Sequence, residues 1–148
     1  MESRADAEYR LEVARGFLQE AEQDLGLRRW RSAVDNAQLT VENAEKAVLS
    51  LNRPTPKTHD VAQELRSFLA ESRDTPERAT LLAELMECAE MLGKDVHIRT
   101  DYGDEVRRIT PWALFNQEDA EQALAHARRA VSLAEAILGA PAGDRVGE

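Results

Sequence analysis

The sequence predicts an all-α protein, an up-and-down helical bundle of four main helices plus a shorter third helix. Three observations carry that prediction. Apolar residues recur at steps of three and four along most of the chain, the period of a helix with one buried face. Only 7 Gly and 5 Pro occur in 148 residues, and most fall between the periodic stretches, too few turns for a chain of short strands. Hydrophobic residues make up 43% and charged residues 32%, which is too apolar and too regular for a disordered chain.

The first helix spans about 3–26, with Leu11, Ala14, Leu18, Ala21 and Leu25 in register, Val13 and Phe17 widening the stripe and Gly26 as a stop. The second carries the clearest seam: Trp30, Ala33, Val34, Ala37, Val41, Ala44, Val48 and Leu51 advance by threes and fours. Asn52-Arg53-Pro54-Thr55-Pro56 breaks it, because two prolines cannot continue a helix. A shorter helix over about 58–72 buries Val61, Leu65, Phe68 and Leu69. Asp74 or Thr75 caps the fourth, Pro76 suits its first turn, and it runs through Leu82, Leu85 and Ala89 to about 92, with Gly93 as its stop. Residues 94–115 show no clean period and are expected to be largely irregular. Asn116 caps the last helix, whose buried stripe runs from Ala120 to Leu138 before Gly139 and Pro141 end it.

This length suits one domain over 1–139 followed by a polar C-terminal tail at 140–148, and a core that hides about two thirds of the unfolded surface. No repeat of solenoid length is visible. The 19 Lys+Arg against 28 Asp+Glu give a net charge of −9, which disfavours indiscriminate binding to long nucleic acid but leaves room for a local basic patch. The single cysteine, Cys88, offers neither a disulfide framework nor a metal cage. The charged opening MESRADAEYRLEVARG has no signal-peptide core and no run approaches a membrane span, so a cytoplasmic chain without membrane contact is expected.

Known bundle chemistries are absent from the local motifs. Di-iron carboxylate bundles use Glu-x-x-His, yet the residues three before His59, His97 and His126 are Pro56, Lys94 and Ala123. No His-Glu-x-x-His and no phosphate-cradling glycine loop occurs, so no metal and no cofactor is expected.

Trp30-Arg31-Ser32-Ala33, running into Val41-Glu42-Asn43-Ala44-Glu45-Lys46-Ala47-Val48, resembles the second helix of HEPN domains (higher eukaryote and prokaryote nucleotide-binding). Thr58-His59-Asp60-Val61 and Arg99-Thr100-Asp101-Tyr102-Gly103-Asp104 are similar to further stretches of that family, in the same order, over about residues 8–138. The resemblance implies an all-α bundle, commonly a homodimer, often encoded beside a minimal nucleotidyltransferase, with some members acting as RNA-cleaving toxins of toxin–antitoxin pairs. The nuclease members carry Arg, four to six residues, then His near the end of the fourth helix. There histidine moves protons and arginine neutralises phosphate. After Arg99 the positions that would hold this histidine are Asp104, Glu105 and Val106, so the ribonuclease site is expected to be absent and no catalytic residue is assigned. The formal match Arg53…His59 lies in the Pro-rich connection, away from the family's site.

The candidate nucleotide- or RNA-binding residues are Arg99, Tyr102, Arg107, Arg108 and His97. The arginines can fork onto phosphate and Tyr102 can stack, or the bases can instead pair with Asp101, Asp104 and Glu105 on the surface. His97 reads as a helix-end residue favoured there by the dipole. Weaker candidates are Arg53 and His59, and Arg28, Arg29 and Arg31 around Trp30, where a stacking ring with phosphate contacts competes with a helix boundary whose Trp30 fills the core end. Trp30, Leu39, Phe115 and the Ala-rich last helix suggest more apolar surface than a thin bundle hides, hence a homodimer. Two functions compete: a non-catalytic nucleotide- or RNA-binding or nucleotidyltransferase-partner protein, and a metal-independent ribonuclease toxin with a displaced site using Arg99 with His97 or Arg53 with His59.

Overall fold

A computed structural model describes residues 4–51, 61–71 and 75–139. Seven helical segments follow in order: α1 (Arg4–Gly26), α2 (Trp30–Leu49), α3 (Val61–Glu71), α4 (Pro76–Met91), α5 (Lys94–Tyr102), α6 (Pro111–Leu114) and α7 (Gln117–Gly139). Among the described residues the only strand-like pairing is an isolated bridge between Asp104 and Ile109. The all-α expectation holds.

Local chemistry sets the boundaries. Thr75 and Thr110 are used alike: each hydroxyl accepts from the N–H three residues on, of Arg78 and Ala113 (both 3.3 Å), with a proline opening the helix behind it. Asn116 and Asp119 cap α7 reciprocally, each side chain accepting from the other's N–H at 2.9 Å. α1 ends at Gly26, the stop read from the sequence, and the turn into α2 follows. The left-handed residue there is Arg28 at φ 63°, closed by Arg28 N–H to the Leu25 carbonyl and Arg29 N–H to that of Asp24. Asp74, the Pro-rich break at 52–56, residues 58–60 of the third helix and the tail at 140–148 lie outside the described residues.

α2 is the centre of the bundle, packing on α1, α3, α4, α5, α6 and α7. α1 and α7 run antiparallel, held by Arg15–Glu135 (2.6 Å) and Glu22–Arg128 (3.3 Å), pairs in which one number rises as the other falls. α2 and α7 pack on each other and both bury alanine: Ala33, Ala37, Ala44 and Ala47 on one, Ala120, Ala127, Ala130 and Ala134 on the other, all fully buried. Small side chains bring helix axes close, which is how a bundle with few aromatics still closes its core. This packing changes the argument for a dimer. The Ala-rich face of α7 is spent inside the chain, and Trp30 and Phe115 pack partly buried against the core.

The C-terminal half of α2 is buried all round. It carries an i,i+4 ladder in which Gln38 donates to Glu42 (3.4 Å) and Lys46 to the other Glu42 oxygen (3.3 Å).

Residues 94–102, expected to be irregular, form α5. Thr100 is its only buried residue, so no apolar stripe advertises it. It is held by contacts with α2 and α6 instead. Gly103 then takes φ +70°, and any Cβ there would meet the Ile109 carbonyl and the Thr110–Pro111 backbone. Among the described residues no helix is long and apolar enough to cross a membrane.

Candidate functional site

The N-terminal turn of α2, the end of α5, the 104–109 turn and α6 converge at one end of the bundle. Arg31 on α2 is the pin. Its Nε donates to the Thr100 carbonyl (2.6 Å), its Nη2 to Asp101 Oδ1 (3.4 Å), and its guanidinium lies over the Trp112 ring at 5.8 Å from the centroid. The Thr100 carbonyl sits in the last turn of α5, where orphan backbone acceptors await a cation. Thr100 Oγ1 donates toward Asp35 Oδ1 on α2 (3.2 Å) and toward the His97 carbonyl (2.7 Å), with the side chain fully buried.

His97 is placed differently from its sequence reading. It lies in the first turn of α5, not at a helix C-terminus, and is half-buried with Nε2 at 4.0 Å from Asp101 Oδ2. Arg99, two positions on, leaves the helix on a different face and is exposed. The two do not form a pair.

The 104–109 turn is closed by reciprocal backbone hydrogen bonds between Asp104 and Ile109, both 2.9 Å. Asp104 Oδ1 also accepts from the Arg107 N–H (3.0 Å), and Arg108 adopts φ 58°. Arg107 and Arg108 are thereby displayed at the tip beside Val106, which is 94% exposed. Tyr102 and Trp112 are also largely exposed, at 63% and 72%.

Three acids of this end are engaged elsewhere: Asp101 with Arg31 and His97, Asp35 with Thr100, and Asp104 with its own turn. Among the described residues no carboxylate stands within ion-pair distance of Arg99, Arg107 or Arg108, so the surface pairing considered for them from sequence is not made. A chain of net charge −9 thus displays unpaired guanidiniums around exposed rings at one end.

Of the weaker candidates, Arg31 joins this site directly. Arg28 lies over the Trp30 ring (5.9 Å) at the helix boundary, Arg29 is exposed beside it, and Arg53 and His59 lie outside the described residues. Sequence reading missed Asp35 and Thr100, and left Trp112 out of the candidate set. Arg31 and Thr100 are 69 positions apart, so nothing local in the sequence shows that they meet. Among the described residues no group of three or more His, Cys, Asp or Glu gathers to hold a metal ion.

The HEPN domain profile matches residues 7–137, nearly the whole chain and all of the convergent end. The chain belongs to the HEPN family. In fold it is similar to TT1696 from Thermus thermophilus, a crystal structure with a TM-score of 0.63 and 22% sequence identity, covering 87% of this chain and 95% of that one. No curated protein matches the chain at a significant level. HEPN membership associates the chain with nucleotide- and RNA-related roles in general. In this HEPN chain positions 104–106 are Asp104, Glu105 and Val106, of which Asp104 closes the turn and Val106 is exposed at its tip.

Proposed function

We propose that this HEPN protein is a non-catalytic binder of RNA or nucleotide, engaging phosphate through Arg99, Arg107 and Arg108 at the α2–α5–α6 end. The observation that carries this reading is the set of guanidiniums there that make no ion pair among the described residues, with Asp35, Asp101 and Asp104 committed to other contacts. Arginine presents a fixed fork of donors that fits phosphate oxygens, and the ligand supplies the charge that the protein withholds. The absence of histidine at positions 104–106 and the divergence of His97 from Arg99 support binding over cleavage. By family resemblance, a homodimer paired with a minimal nucleotidyltransferase, in the manner of a toxin–antitoxin couple, is the assembly this reading accommodates.

Fluorescence anisotropy with a labelled single-stranded RNA tests the reading. Affinity should fall with salt, with a log–log slope of about −0.7 for each phosphate neutralised. Arg99→Ala with Arg107→Ala should flatten that slope and leave helicity intact. The labelled RNA should remain full-length in a chelator-containing buffer. Cleavage that is abolished by His97→Ala would instead establish the ribonuclease alternative. Unchanged binding in the double variant would move the site to Arg28, Arg29 and Arg31.

A further inference from the structure

Trp112 is built differently from the other exposed rings. Tyr102 ends α5 with no ring partner among the described contacts, and Trp30 is half-buried beneath Arg28. Trp112, 72% exposed, has one face covered by the guanidinium of Arg31. That guanidinium is itself tied to the Thr100 carbonyl and Asp101. The backbone beneath the ring is equally constrained: Thr110 caps α6, Pro111 is buried, and Gly103 leaves no room for a side chain against the 109–111 backbone. A cation fixed on one face of an indole leaves the opposite face open and already oriented. Arg107 and Arg108 stand on the turn that leads into this helix.

We infer that Trp112 is a stacking platform for one unpaired base, with Arg31 as the positioning residue behind it and Arg107 and Arg108 taking the adjoining phosphates. The ligand class is therefore a nucleotide whose base is free to stack: a single-stranded RNA or a free nucleotide. A duplex keeps its bases stacked inside the helix and does not offer one to the ring. Stacking on an aromatic side chain tolerates any base but favours those with the larger π-surface, so purines bind more tightly than pyrimidines. The inference rests on the RNA-or-nucleotide reading above and refines it, since phosphate contacts alone require no ring.

The experiment compares a short labelled oligoadenylate with an abasic strand of equal phosphate count and with AMP, by anisotropy and by tryptophan fluorescence. Wild type should prefer oligoadenylate over the abasic strand and show quenching on binding. Trp112→Ala should weaken oligoadenylate binding by on the order of tenfold, as expected for loss of one base stack, and leave the abasic strand unaffected. Trp112→Phe should restore most of the loss. Quenching by AMP alone would assign a free nucleotide as a sufficient ligand, and quenching by the strand alone would assign RNA. Equal affinity of wild type and Trp112→Ala for oligoadenylate would overturn the stacking inference while the phosphate-binding reading stands. No binding of any probe by wild type at low salt would overturn both.

Discussion

Two ion pairs toward opposite ends of α2 share their chemistry and differ in their surroundings. Lys46–Glu42 (3.3 Å) lies in the buried C-terminal half, with side chains only 11% and 5% exposed. Arg31–Asp101 (3.4 Å) sits at the open end, reaches across to α5 and carries a stacked indole. In the first case both charges are held away from water, so protein groups such as the Gln38 amide must stand in for solvent. In the second, solvent screens the pair and its direct energy is small. Its consequence is geometric: it fixes α5 and Trp112 against α2. The same helix therefore uses charge to secure the core at one end and to orient a surface at the other.

The sharpest way to break the comparison is Lys46→Ala. It withdraws the cation beside the buried Glu42 carboxylate, and a loss of about 3 kcal/mol in urea unfolding is expected. A loss below about 1 kcal/mol would show that water reaches the ladder and that the two ends are alike. Next comes Gly103→Ala at the open end, expected to cost about 2 kcal/mol, because φ +70° and the Ile109 carbonyl both exclude a Cβ. Hydrogen exchange should show protection lost in α5 and α6 and retained in α7.

Arg31→Ala should destabilise by only about 1 kcal/mol, the scale of a part-buried hydrogen bond, yet change the environment of Trp112. A shifted emission spectrum with little change in the urea midpoint is the expected signature. The smallest effect concerns Cys88, whose thiol is pushed above its ordinary value near 9.0, first by burial and then by Glu87, Glu45 and Glu84 against the opposing Arg129. The folded chain keeps the proton that the unfolded chain releases. This contribution is full below about pH 9 and is lost as pH rises through that range. Wild type should therefore lose slightly more stability than Cys88→Ala between about pH 8 and about pH 10, measured by urea midpoints.

Both caps read from sequence, Thr75 and Asn116, are made as expected, because a cap is decided within three residues. The seams of α2 and α7 were equally visible, since a helix that buries one face must repeat every three to four residues. α5 was not visible. Its one buried side chain, Thr100, is polar, and its contacts come from α2 and α6. Nor did Arg28 announce itself as the left-handed residue of the first turn, a conformation that no local pattern marks for an arginine.

By itself the sequence determined the class of fold, the family and the identity of positions 104–106, none of them histidine, because these are matters of period, order and residue identity. The tertiary structure alone decided which charges are spent and which remain free. Arg28, Arg29, Arg31, Arg99, Arg107 and Arg108 are equivalent as letters. Only the approach of α2 to α5 commits Arg31 to Thr100 and Asp101 and leaves Arg99, Arg107 and Arg108 facing water. The physical reason is that an ion pair is a matter of a few ångströms in space, and separation along the chain carries no information about it.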